Sequence, residues 1–207
     1  MASAMIHLVI AKELKDKLKI KNTYDYYLGS IAPDLAKQIG LSKSESHFLI
    51  NTYNDIPNID VFKSKYPNFR SNDYDLGYFV HLYTDKLWFE DFLVNYSLDN
   101  SIKLLDGTTI QSTKEEIKEL LYSDYTNLNI QLIDEYEMDL SLFYEEFRKP
   151  DTEITEIPAD KLDILINKMG ILISNSKESK SYIFDIFSIK QFIENTVEEI
   201  EKELKSA

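Results

Sequence analysis

The sequence predicts an all-α protein, a single-domain, multi-helix bundle that comprises residues 1–207. Only five Gly and five Pro occur in 207 residues, which leaves little material for hairpin turns. Apolar residues recur three and four positions apart in most of the chain, the spacing of one helix face. The polar connector at 150–158 is too short to establish a second domain.

Helical periodicity begins close to the start of the chain. An amphipathic first helix is predicted from the spacing of Ile6, Val9, Ile10, Leu14 and Leu18. A second helical segment at 28–38 is interrupted by Pro33, and proline suits a first helical turn. A third segment at 44–53 precedes a predicted loop around Pro57 and Pro67.

The longest helical pattern covers residues 73–96. Asp106-Gly107 is the clearest turn dipeptide and predicts a small hairpin or an ordered loop. Ser112-Thr113 followed by Glu115-Glu116 resembles a capping box, which predicts a helix from there to about residue 136. The remaining predicted helical segments are 139–147, 160–174 and 186–204.

Composition restricts the partners and the kind of metal site. The formal net charge is −13, so nucleic-acid backbones and anionic membrane surfaces are disfavoured as partners. Cysteine is absent, so any metal would be held by imidazole and carboxylate groups. We find no signal-peptide pattern and no apolar run long enough to span a bilayer, which predicts a soluble, cytoplasmic protein of open oligomeric state.

The chain has only three histidines, and all of them occur in the first 81 residues. His81 and Asp85 are four residues apart on the longest predicted helix, so both side chains leave the same face and can converge on one cation. His47 begins an apolar run, Asp34 follows a proline, and His7 has apolar neighbours on the first helix. Together these five residues predict a metal site.

Each of these residues also has a simpler interpretation. A single buried histidine such as His7 is more often a core or interface residue, and Asp34 alone fits a carboxylate at a helix N-terminus. His81 and Asp85 alone fit a charged hydrogen bond as well as a metal pair. As a set they favour zinc, in one or two ions, with manganese, iron or nickel as alternatives.

The order and context of these residues resemble those of the zinc-dependent phospholipase C family. The similarity includes His7, the segment 29–34 (Gly-Ser-Ile-Ala-Pro-Asp), the segment 46–48 (Ser-His-Phe) and the segment 77–88, and it covers roughly residues 5–90. That family shares an all-α fold with fungal single-strand nucleases. The resemblance therefore implies a bundle of the phospholipase C/nuclease type.

The resemblance also implies roles for individual residues. Asp34, His47 and His81 would hold one metal, and Asp85 would ligate that metal and bridge to a second, which His7 also binds. Asp34 would in addition act as general base toward a metal-activated water. The expected reaction is hydrolysis of a phosphodiester or phosphomonoester bond.

The sequence also departs from that family. The secreted enzymes begin with a metal-binding Trp, which this chain lacks, and they supply two more histidines and a glutamate after the long helix. No histidine follows His81 here, so a three-zinc site of the usual composition is excluded. Asp124, within an aromatic helical stretch, is the best candidate for a replacement ligand; the alternative is an ordinary solvated carboxylate.

The sequence thus predicts a metal-dependent hydrolase of phosphoesters, with a small soluble phosphoester rather than a lipid as substrate. An inert relative, with a structural metal or a small-ligand-binding role, is the alternative. A third interpretation is a metal sensor or scaffold that acts through its acidic surface.

Overall fold

In a computed structural model, residues 2–49, 55–98, 100–175 and 181–206 are described, and they form mainly helices with one small sheet. The mostly helical prediction is confirmed for these residues. The α-helices of the described part are α1 (Ala4–Lys15), α2 (Thr23–Ile31), α3 (Leu35–Gln38), α4 (Lys43–Ser46), α5 (Ile59–Lys65), α6 (Asp73–Leu87), α7 (Lys114–Asn127), α8 (Asn129–Glu135), α9 (Leu162–Asn175) and α10 (Ile186–Lys205). None of the described helices combines the length and the apolar character required to cross a bilayer.

Helix α1 lies at the centre of the fold and packs against α2, α6, α8 and α10. The Ser3 hydroxyl caps its N-terminus by accepting a hydrogen bond from the Ile6 N–H (3.2 Å). Every residue from Met5 to Ala11 is buried, so the first half of α1 is enclosed on all sides. The predicted amphipathic pattern holds only in the second half, where Lys12, Glu13 and Lys15 occur.

Helices α2 and α6 cross with their backbones in contact. A Cβ atom on Gly29 would lie 2.0 Å from the Tyr74 carbonyl oxygen, and one on Gly77 would lie 2.1 Å from the Tyr26 carbonyl oxygen. Any larger residue would push the helices apart. The two glycines therefore bring the end of α2 against the middle of α6, which carries His81.

The predicted helix at 73–96 is present but changes type along its length. Asn72 caps α6 by accepting hydrogen bonds from the backbone N–H groups of Tyr74 (2.9 Å) and Asp75 (3.2 Å). After α6 the chain continues as a π-helical turn, Trp88–Phe92, and a 3₁₀ turn, Leu93–Asn95. Trp88 itself is buried in the aromatic core.

The predicted turn at Asp106-Gly107 forms a hairpin within a three-stranded antiparallel sheet. Gly107 has a φ of +87°, a conformation that favours glycine. Ile102 lies on the central strand and is fully buried. The strands are β1 (Ser97–Leu98), β2 (Ser101–Lys103) and β3 (Thr109–Gln111), in the order β1-β2-β3.

Several short elements differ from the sequence prediction. Helix α5 occupies part of the predicted loop between Pro57 and Pro67, because the Asn58 side chain caps it by accepting from the Val61 N–H (2.9 Å). Of the segment predicted at 44–53, α4 accounts for the start, and residues 50–54 lie outside the described part. Of 139–147, only a 3₁₀ turn, Ser141–Phe143, is helical.

The capping box before α7 is confirmed. The Thr113 hydroxyl accepts from the Glu116 N–H (3.2 Å), and the Glu116 carboxylate accepts in return from the Thr113 N–H (3.2 Å). The predicted helix to about residue 136 divides at Leu128 into α7 and α8. The closing helices α9 and α10 lie where the sequence predicted them.

Candidate metal centre

The five residues of the first predicted set meet in the interior of the bundle. His7 lies on α1, Asp34 in the 3₁₀ turn after α2, His47 directly after α4, and His81 and Asp85 on α6. All three histidines and Asp85 are 0–1% exposed. The Asp34 side chain is 12% exposed. Their ligand atoms form two groups, each within 4.8 Å, and these buried groups could hold a metal ion: His7 with Asp34 and His81, and His47 with His81 and Asp85.

Asp85 contacts all three imidazoles. Its Oδ1 lies 3.4 Å from His7 Nε2 and accepts a hydrogen bond from the Ala2 N–H (3.0 Å). Its Oδ2 lies 3.6 Å from His47 Nε2 and 3.8 Å from His81 Nε2, and no hydrogen bond to this oxygen is found among the described residues. The two oxygens of this carboxylate thus face different imidazoles, Oδ1 facing His7 and Oδ2 facing His47 and His81.

The tautomer of His81 is fixed by the end of α2. Its Nδ1 lies 2.9 Å from the Ser30 carbonyl oxygen, which can only accept, so Nδ1 carries the proton. Burial lowers the pKa of His81 to about 3, and His7 adds to this effect, so the ring is neutral at neutral pH. His81 Nε2 therefore presents a lone pair to the cluster, the form in which imidazole binds a metal.

His47 is oriented by its neighbour. The Ser46 hydroxyl oxygen lies 2.8 Å from His47 Nδ1 and 3.3 Å from the Lys43 carbonyl oxygen. His47 Nε2 lies 3.3 Å from His81 Nε2. The two Nε2 atoms can share a proton at this distance, or both can bind a cation.

His7 completes the cluster from the other side. Its ring stacks on that of His81, with centroids 3.8 Å apart and an interplanar angle of 13°. Both ring nitrogens of His7 are buried, and neither has a hydrogen-bond partner in the described part of the chain. A fully buried imidazole without a partner is costly, and a metal ligand bond is one arrangement that satisfies it.

The two carboxylates are held in their charged form. Burial alone would raise the pKa of Asp34, but its contacts with His47, His81 and His7 outweigh burial and lower the pKa to about 2. For Asp85, burial is likewise outweighed by nearby groups, the His7 imidazole among them, which keep its pKa well below the usual range. Imidazole nitrogens and ionised carboxylates are the donor set of a divalent cation site.

Asp124 has a different environment from the other five predicted ligands. Its carboxylate accepts hydrogen bonds from the backbone N–H groups of Tyr182 (2.6 Å), Ile183 (3.0 Å) and Phe184 (3.0 Å). It belongs to neither group of converging ligand atoms among the described residues. The structure therefore gives Asp124 the role of anchoring the segment before α10, and it does not support the proposed ligand role or a solvated carboxylate.

The sequence prediction did not include the groups that orient the ligands. Ser30, Ser46 and Ala2 contact His81, His47 and Asp85 respectively. Ser46 directly precedes His47 in the sequence, and a hydroxyl next to a candidate ligand could have indicated its orienting role. Ser30 and Ala2 act through backbone atoms, for which the sequence contains no side-chain signal.

Comparisons with known proteins do not extend this picture. No protein-family model, curated protein or solved structure matches the chain. The resemblance to the zinc-dependent phospholipase C family therefore stays a prediction from residue order and context.

Proposed function

We propose that this protein is a metal-dependent phosphoester hydrolase, similar to the zinc-dependent phospholipases C, with one or two zinc ions held by the five-residue cluster. The observation that carries the proposal is the convergence of three imidazoles and two carboxylates at one buried point. A cation bound there would activate water and polarise a phosphoryl oxygen. The location is expected to be cytoplasmic.

The roles of the residues follow from their surroundings. His47, His81 and Asp85 lie together and would hold one ion, while His7 faces the other oxygen of Asp85 and would bind a second. Asp34 is the cluster member with an exposed fraction, and it lines a surface cleft. It stays ionised at neutral pH, so it can accept a proton from a water molecule that enters by this route.

The first experiment measures metal content. Protein purified without chelator is analysed for zinc, manganese, iron and nickel, and we expect at least one ion per chain. Substitution of His81 by Ala should reduce that number. If the wild-type protein binds none of these metals when each is supplied, the proposed metal centre is wrong.

The second experiment measures turnover of chromogenic phosphomonoesters and phosphodiesters. We expect metal-dependent hydrolysis that is lost in Asp34→Asn and retained in Asp60→Asn, a matched control on the exposed face of α5. Metal bound at full stoichiometry without hydrolysis of any ester would refute the hydrolase and favour a structural metal. In that case chelation would still lower the melting temperature, since a structural metal stabilises the folded protein.

A further inference from the structure

Helix α4 ends in a turn whose backbone conformation is rare for an aromatic residue. Phe48, the residue directly after His47, has a φ of +54°, in the left-handed region that favours glycine. The Phe48 N–H donates to the Glu45 carbonyl oxygen (3.1 Å), and the Leu49 N–H donates to the Ser44 carbonyl oxygen (2.9 Å). These two hydrogen bonds form the Schellman motif that commonly ends a helix. Phenylalanine thus occupies the position at which glycine is usual.

The Phe48 ring accounts for this unusual choice, because the aromatic core encloses it. The ring packs edge-on against those of Phe62, Tyr66 and Tyr78, with centroids 5.3, 6.3 and 6.4 Å away. Phe48 is buried, and edge-to-face contacts between aromatic rings are favourable. Packing of the ring therefore offsets the cost of the left-handed backbone and holds the turn after His47 in one conformation.

Tyr78 connects this turn to the helix that carries His81. Its hydroxyl donates a hydrogen bond to the carbonyl oxygen of Ser46 (2.5 Å), the residue directly before His47. Tyr78 and His81 are three residues apart on α6, so their side chains leave the same face. The Nε2 atoms of His47 and His81 lie 3.3 Å apart. Two nitrogens bound to one tetrahedral zinc ion at about 2.0–2.1 Å are separated by about the same distance.

We propose that Phe48 and Tyr78 are positioning residues of the metal centre, which fix the spacing between His47 and His81. Phe48 holds the turn in its left-handed conformation, and Tyr78 joins that turn to α6. The proposal rests on the proposed function in taking the two histidines as metal ligands, but their spacing can be measured without a metal. Loss of either contact should turn the His47 ring away from His81.

Two hydroxyl deletions on the same face of α6 test the role of Tyr78. Tyr78→Phe removes the hydrogen bond to Ser46 and keeps the ring. Tyr74→Phe is the matched control, because the Tyr74 hydroxyl is buried and forms no hydrogen bond within the described part of the chain. We expect Tyr78→Phe to bind zinc about tenfold more weakly than the wild type, in competition with a chromogenic chelator, and Tyr74→Phe to bind it normally. A normal zinc affinity in Tyr78→Phe would overturn the proposed role.

Two substitutions of Phe48 separate positioning from packing. Phe48→Ala and Phe48→Gly both remove the ring and should both lower the melting temperature, but only glycine adopts the left-handed conformation without steric cost. We therefore expect Phe48→Ala to bind zinc about tenfold more weakly than Phe48→Gly. Equal zinc affinities in these two variants would overturn the role of Phe48, because the loss of packing affects both alike. Tyr78→Phe loses only one oxygen atom, so the inference stays testable even if the Phe48 variants do not fold.

NMR spectra of the metal-free protein separate this inference from the proposed function. The rings of His47 and His81 have centroids 5.2 Å apart, and the chain has only three histidines, so their ring protons can be assigned. We expect a nuclear Overhauser contact between the two rings in the wild type, Tyr74→Phe and Phe48→Gly, and its loss in Tyr78→Phe and Phe48→Ala. This pattern would support the inference even if the protein bound no metal. The same contact in all variants would overturn it even if the zinc-loaded protein hydrolysed esters.

Discussion

The contact between α2 and α6 allows the most direct test of how the fold positions the site. We predict that Gly77→Ala destabilises the protein and also weakens metal binding. A Cβ at this position would lie 2.1 Å from the Tyr26 carbonyl oxygen and 2.9 Å from the Ser30 nitrogen. Both are backbone atoms, so no side chain can rotate away to make room.

The expected loss of stability in Gly77→Ala follows from the distance that the two helices must move apart. The two backbones have to separate by about 0.9 Å before the Cβ reaches 3.0 Å from the Tyr26 oxygen, the shortest distance that real Cβ atoms show. We expect a loss of about 3 kcal/mol in the free energy of unfolding, at the upper end for overpacking. The same movement draws the Ser30 carbonyl away from His81 Nδ1, now at 2.9 Å, and releases the imidazole from its metal-binding orientation.

Gly170→Ala is the matched control. Gly170 also lies inside a helix, α9, but a Cβ there would meet only the hydroxyl of Tyr144, at 2.8 Å. Tyr144 is 59% exposed and can rotate away. Replacing glycine by alanine in a helix interior otherwise stabilises by about 0.5–1 kcal/mol, so we expect this variant to be neutral or slightly more stable than the wild type.

Urea unfolding measures the effect in both variants, once with a chelator and once with added zinc. With the chelator, Gly77→Ala should be less stable than Gly170→Ala by about 3 kcal/mol. With zinc this difference in the free energy of unfolding should increase. Zinc binding should stabilise the intact site of Gly170→Ala more than the distorted site of Gly77→Ala. Unfolding free energies within about 0.5 kcal/mol of each other, together with equal zinc affinity, would refute the idea that this contact positions His81.

Three further predictions concern single carboxylates. Asp85→Asn should lower the melting temperature of the zinc-loaded protein to that of the chelated wild type, because Asp85 contacts all three imidazoles; a normal zinc content would contradict this. Asp124→Ala should cost about 2–4 kcal/mol of stability, because three backbone donors lose their acceptor, while zinc stoichiometry stays that of the wild type. Burial raises the pKa of Asp75 from 3.8 to about 6, so its charged form destabilises the fold. The Asp75 contribution is thus favourable below pH 3.8 and is lost as the pH rises through 6. Asp75→Asn should therefore gain stability relative to the wild type from about pH 4 to about pH 7 in urea unfolding, with a constant difference above that range.

The helices that the sequence predicts well are those with long periodic patterns. Helices α6, α9 and α10 begin within about two residues of their predicted starts, because several apolar side chains define each buried face. The sequence predicts a loop where α5 lies, since Pro57 and Pro67 suggest a break, but the Asn58 side chain caps a helix there. A single capping hydrogen bond suffices for a seven-residue helix only because the aromatic core covers its Phe62 side.

The candidate site was predictable to the extent that it depends on spacing. His81 and Asp85 converge because they are four residues apart on one helix, and this spacing is visible in the sequence. The approach of His7 and His47 depends on how α1 and α4 pack against α6, which no local pattern encodes. For those two, the prediction depends on residue type and apolar neighbours, to which the family resemblance adds the expected pairing of ligands.

Asp124 shows the opposite case, in which residue type alone misleads. From the sequence, a carboxylate within an aromatic helix fits a metal ligand or an ordinary solvated side chain, and neither is its role here. Its three hydrogen bonds reach a segment almost 60 residues further along the chain, at Tyr182 and its two successors. Only the tertiary arrangement identifies the anchor, because backbone donors have no sequence signal.

The unpartnered buried atoms argue that the cluster suits a cation. The Ser30 carbonyl oxygen holds a proton on His81 Nδ1, so the lone pair of His81 Nε2 points into the cluster. Both ring nitrogens of His7, one oxygen of Asp34 and one oxygen of Asp85 are buried there without a hydrogen-bond partner among the described residues. Buried polar atoms without partners are costly, and one bound cation would satisfy several of them at once. The contact of α2 with α6 at Gly29 and Gly77 keeps the Ser30 carbonyl beside His81 and so maintains this arrangement.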